Sequence, residues 1–80
     1  MSWCYRVIKR VLPEGKQTSV TVFGIHEVYD HNGKEFWSVD SIGPCGDDLQ
    51  ELQEDLNHML EALKTPILEV VDGKLVEVQE

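Results

Sequence analysis

GIHEVYDHNGKEFW, residues 24–37, contains the strongest short-range signal in the chain, Asn32-Gly33 between two runs rich in aromatic and β-branched residues. Both turn residues tolerate the positive φ of a type I′ turn, so the stretch predicts a tight hairpin. A two-residue loop fixes the register: His31 faces Lys34, Asp30 faces Glu35, Tyr29 faces Phe36, Val28 faces Trp37 and His26 faces Val39. Side chains alternate across a strand. One face therefore gathers Val20, Val22, His26, Val28, Trp37 and Val39. The other gathers Phe23, Ile25, Glu27, Tyr29, Phe36, Ser38 and Asp40, unless a bulge at Gly24 swaps part of the set.

Working outward, Trp3 to Leu12 reads as a strand, and Pro13-Glu14-Gly15-Lys16 as a turn. Thr18 to Tyr29 is the second strand, dominated by Val, Thr, Phe and Ile, and Glu35 to Ile42 the third. Gly43-Pro44-Cys45-Gly46 is a loop. Asp48 as N-cap with Glu51 three residues on matches a capping box and starts a helix. Leu49, Leu52, Leu56, Met59, Leu60 and Leu63 recur at helical spacing as one apolar stripe with Leu56 at its centre. Thr65 before Pro66 ends it. Asp72-Gly73 between ILEVV and KLVEV predicts a second hairpin over Ile67 to Val78. The expected fold is one α+β domain over residues 1–80. Its antiparallel sheet has three to five strands with one helix packed on one face.

A chain of 80 residues has room for one sheet and one helix, and little for a deep water-free site. With no long apolar run and no apolar leader at MSWCYRVIKR, no membrane span or signal peptide is expected, and a cytoplasmic protein is. Two cysteines, Cys4 and Cys45, are fewer than a small secreted fold uses, so reduced thiols are expected. The net charge of −8 is uneven: +3 over residues 1–26 and −11 over residues 27–80. That argues against direct binding to nucleic acid, whose phosphates require Lys and Arg.

Candidate chemistry is sparse. His26 and His31, five apart on a strand, point to opposite faces and cannot share a metal. With Cys4, Cys45 and His58 they show none of the paired spacings of zinc sites. Cys45 precedes a helix N-terminus, which lowers thiol pKa values, but the charges of Asp47 and Asp48 oppose a thiolate. GPCG lacks the length and lysine of a phosphate loop. No nucleophile, base and oxyanion donor assemble. Neither a catalytic residue nor a metal nor a cofactor is expected.

Two surfaces stand out instead. Asp47, Asp48, Glu51, Glu54, Asp55 and Glu61 occur without an intervening base, with Lys64 at the end of the run. Such a stripe is either a solvated face in register with the helix dipole or a docking face for a basic, nucleic-acid-binding protein. Second, a helix on one sheet face leaves Phe23, Ile25, Tyr29 and Phe36 uncovered on the other. Apolar patches of that kind mark association, and the expected consequence is a homodimer. A small-ligand binder, with a nucleotide or metabolite held at the sheet face or a dimer cleft, is the alternative.

YRVIKR (residues 5–10), GIHEVYD (24–30) and GDDLQELQEDLNHMLEALKTPIL (46–68) resemble a widespread group of short bacterial and phage proteins. Its members read YRVI, GIHEVYYD and SLEEL…DL…MLEAL…PVL, and the resemblance covers most of residues 3–68. It supplies no catalytic residue. This chain differs by Asp48 where that pattern has Ser, and by the tail hairpin. More distantly, the β-β-β-α order is similar to the HicB-type antitoxin domain, a dimerising, non-catalytic partner of a small toxin. That resemblance implies an inhibitor-like role, and a repressor role is not expected from these residues.

Overall fold

The computed structural model describes residues 2–78. Five strands, β1 (Ser2–Pro13), β2 (Ser19–His31), β3 (Lys34–Trp37), β4 (Ile67–Val71) and β5 (Lys74–Val78), accompany one helix, α1 (Leu49–Ala62). The chain is α+β, in the order β3-β2-β1-β4-β5 across a single sheet. The expected antiparallel sheet is corrected in one respect. β1 pairs with β4 in parallel, through Ile8↔Leu68 and Lys9↔Glu69, so the sheet is mixed. The helix supplies the long crossover that a parallel neighbour requires. None of the described residues forms a helix long and apolar enough to cross a membrane.

Both Asx-Gly hairpins form. Asn32 and Gly33 have φ of 54° and 79°, Asp72 and Gly73 of 52° and 76°, the paired left-handed residues of a type I′ turn. The β2–β3 register is Val28↔Trp37, Tyr29↔Phe36, Asp30↔Glu35 and His31↔Lys34. It stops there, and the expected pair His26–Val39 does not form. The Ser38 hydroxyl accepts the Glu27 N–H at 3.2 Å, while the Ser38 carbonyl turns aside to accept His26 Nδ1–H at 2.9 Å. Without that carbonyl the ladder cannot continue. Val39 to Ser41 loop out, and Ile42 rejoins β2 through its N–H to the Ile25 carbonyl.

The β1–β2 ladder runs unbroken through Gly24 from Ser2↔Asp30 to Pro13↔Ser19, so the alternation of faces holds along its length. On one face Ile8, Val28 and Leu68 form a buried cluster, with Trp37 of β3 and Leu75 of β5 packed against it. Both edges of the sheet thus reach the same three residues, and the two hairpins line one cleft of about 480 Å³. The sheet is coiled. The looped-out segment straps this face: Arg10 Nη1 donates to the Val39 carbonyl, and Ser41 lies over Gly24, where a Cβ would come within 2.7 Å of it.

The helix lies on the opposite face. Tyr5, which alternates with Ile8 along β1, donates its hydroxyl to Asp55 of α1, and Val7 on the same side is buried. By register that side also carries Ile25, Glu27 and Tyr29. The expectation that the helix covers the valine face is therefore reversed. Strap and strand edges close the valine face, and the helix takes the aromatic one.

Candidate functional site

The helix begins as its sequence dictates. Asp48 is the N-cap and its Oδ1 accepts the Glu51 N–H at 2.8 Å. The return half of the box is shifted by one residue, since Glu51 Oε2 accepts from Asp47 N–H at 3.3 Å. Asp48 and Glu51 are thus engaged in satisfying free backbone donors.

The inward positions are Leu52, Asp55, Met59 and Ala62; the other helix residues are exposed. This corrects the expected stripe. Leu52 and Met59 face the sheet, but Leu49, Leu56, Leu60 and Leu63 do not, being 83%, 43%, 57% and 63% exposed. It also removes Asp55 from the outer acidic face. Its Oδ1 accepts the Tyr5 hydroxyl at 2.5 Å and its Oδ2 the Cys45 N–H at 2.9 Å. The hydrogen bond from Tyr5, then that from Cys45, holds the Asp55 carboxyl below the usual carboxylate range. Reciprocally, the bond to Asp55, with smaller contributions from burial and the charges of Asp55 and Glu27, pushes the Tyr5 phenol up to about 12.

Beside this joint lies a groove of about 440 Å³, walled on the sheet side by Trp3 and Tyr5 and on the helix side by His58, Glu61 and Ala62. The two aromatic rings meet edge to face, with centroids 5.2 Å apart and planes at 81°. Trp3 is more than half exposed. Arg6 reaches the groove's end, where its Nη2 donates to the Pro66 carbonyl at 2.8 Å. Thr65 also lines it, but its hydroxyl is spent on the Ala62 carbonyl. Cys4 and His58 share the lining. No hydrogen bond joins them among the described residues, and Cys4 and Cys45 are both exposed and free.

Of the acidic residues, Asp47, Glu54 and Glu61 remain outward with only local partners: Gln50 donates to Glu54 at 3.4 Å and Lys64 bridges Glu61 at 3.1 Å. Glu54 and Glu61 lie on the helix flank that borders the groove. Phe23 and Phe36 are half exposed, while Ile25 and Tyr29 are half buried, and Tyr29 donates to Glu27. Of the two histidines in the opening stretch, His31 is solvated beside its turn. His26 is buried with Nδ1 on the Ser38 carbonyl, which only accepts, so the proton sits on Nδ1. Among the described residues no three His, Cys, Asp or Glu converge as a metal cage does.

Sequence reasoning did not single out Trp3 or Tyr5. The only available signal was an aromatic pair at i, i+2 on one strand face. What makes it a wall is the helix across from it. No family model, no curated protein and no solved structure matches this chain.

Proposed function

We propose that this chain is a small, non-enzymatic, acidic interaction module of the cytoplasm. It self-associates and engages a basic, nucleic-acid-binding protein in the manner of an inhibitor or antitoxin-like partner. The observation that carries the reading is the uncovered helix flank of Glu54, His58 and Glu61, which borders a groove walled by Trp3 and Tyr5. Carboxylates beside exposed aromatic rings suit Lys and Arg side chains, by charge and by cation–π contact. A net charge of −8 disfavours direct nucleic-acid binding and speeds encounter with a basic surface. Self-association draws on apolar side chains left exposed, among them Phe23 and Phe36 of the expected patch.

The test keeps the structural acids and removes the others. Asp47→Asn, Glu54→Gln and Glu61→Gln together leave the cap and the Asp55 joint intact. For a partner captured on the immobilised protein and identified, the on-rate should fall in this variant and lose most of its salt dependence. Equal on-rates across salt concentrations mean that the flank is only solvated surface.

A second reading has one observation in its favour, the groove itself, whose volume falls in the range of small-molecule sites. If a nucleotide or metabolite is the ligand, melting temperatures rise with its concentration. A flat response across such panels returns the groove to the protein partner.

A further inference from the structure

The chain exposes 6171 Å² of surface. A folded monomer of 9.1 kDa exposes about 4,900 Å² by the scaling of surface with mass. The excess, about 1,300 Å², exceeds the roughly 800 Å² that each partner contributes to a standard interface. The helix carries four of the large apolar residues left exposed. Leu49, Leu56, Leu60 and Leu63 are spaced by seven, four and three residues, so they share one flank about 21 Å long at the helical rise. Leu49, Leu56 and Leu63, together with the inward Leu52 and Met59, make an a/d heptad pattern, L-L-L-M-L at positions 49, 52, 56, 59 and 63. Only the d positions, Leu52 and Met59, are covered by this chain's own sheet.

We infer that this leucine flank is the homodimer interface, each helix packing against the same flank of the helix in a second copy about a two-fold axis. The inference rests on the self-association proposed above and relocates its centre from Phe23 and Phe36 to the helix. Charge selects the occupant. Two copies of a chain carrying −8 repel wherever carboxylates meet, yet the residues beside this flank are Gln53, Asn57 and Lys64. Glu54 and Glu61 project from the far side of the helix, toward the groove. The leucine flank is thus the part of the helix surface where two copies can approach without opposed carboxylates. A basic partner finds no counter-charge there. In an isologous pair each stripe meets its own kind, and the a positions left bare by the fold become buried knobs.

Sedimentation equilibrium of the intact protein, paired with circular dichroism, tests this. Wild type should be a dimer. Leu56→Arg with Leu60→Arg should be monomeric with unchanged helical content, because both side chains lie outside the monomer's core. Phe23→Glu with Phe36→Glu should stay dimeric. With Leu56 retained, Leu60→Ala alone should weaken association roughly 30-fold or more, the loss expected of a buried leucine at an interface. A wild type that sediments as a monomer overturns both this inference and self-association. A dimer that survives the arginine pair but dissociates on Phe23→Glu/Phe36→Glu overturns the inference alone. If the arginine pair fails to fold, dilution of Leu60→Ala decides, and an unchanged dissociation constant counts against the helix flank.

Discussion

Tyr5 donates its hydroxyl to Asp55 across fifty residues of sequence, and through that one carboxylate the first strand, the Cys45 loop and the helix are joined. Asp55 Oδ2 holds the Cys45 N–H, so both carboxylate oxygens are committed. A charged acceptor strengthens both bonds relative to neutral pairs.

This joint has a pH signature at each end of the scale. Tyr5 is raised from 10.0 to about 12, so its contribution to stability is complete below the unfolded value and is lost as pH climbs through the folded one. Asp55 is depressed, so its contribution is present above the ordinary carboxylate value and is lost as pH falls through the lowered one. In an ultraviolet titration Tyr5 should ionise well above the ordinary phenol value of 10.0. Asp55→Asn should bring Tyr5 back toward 10.0 and flatten the acid limb of stability. A Tyr5 titration that does not respond to Asp55→Asn rules the joint out.

Met59 and Leu56 should behave oppositely to what an unbroken apolar stripe implies. Met59 is 6% exposed and Leu56 43%. Met59→Ala should cost about 2–5 kcal/mol in urea unfolding. Leu56→Ala, measured at a dilution where the protein is monomeric, should cost less, roughly 1–2 kcal/mol, because a large part of its surface stays in water on folding.

Gly24 supports the strap. An alanine there places its Cβ 2.7 Å from Ser41 Cβ, closer than packed atoms allow, so the segment over His26 must move. Gly24→Ala should destabilise by about 1–3 kcal/mol, as overpacked sites do. Ser41→Gly should recover part of that loss, and a double-mutant cycle measures the coupling. Simple additivity of the two changes would place the strap elsewhere.

The hairpin glycines report on the backbone alone. A Cβ at Gly33 or Gly73 meets nothing within 4 Å, yet both residues have φ near 80°. Gly33→Ala and Gly73→Ala should each cost about 1–2 kcal/mol, the penalty of a left-handed L-residue. Asn at either position should cost less, because its short polar side chain tolerates that conformation.

The two I′ hairpins, the Asp48 cap, the strand alternation and the helix were legible in the sequence, because each depends on residues only a few positions apart. A type I′ turn requires two left-handed residues, and Asn-Gly or Asp-Gly supplies them regardless of surroundings. A cap needs one acceptor beside the first free N–H groups. The tertiary structure alone decided which sheet face the helix covers, where β3 ends, and that β4 lies parallel to β1. Hydrophobic period marks the apolar residues of an element without marking what covers them. Thus Leu56 and Met59 look alike in sequence, but only Met59 meets the sheet. Asp55 reads as one more surface acid until Tyr5 and Cys45 arrive from distant parts of the chain. Ser38 reads as a strand residue until its hydroxyl and carbonyl find Glu27 and His26. The candidate groove, the Asp55 joint and the bare leucine flank are relations between elements, and the energies that set them are contacts across fifty residues.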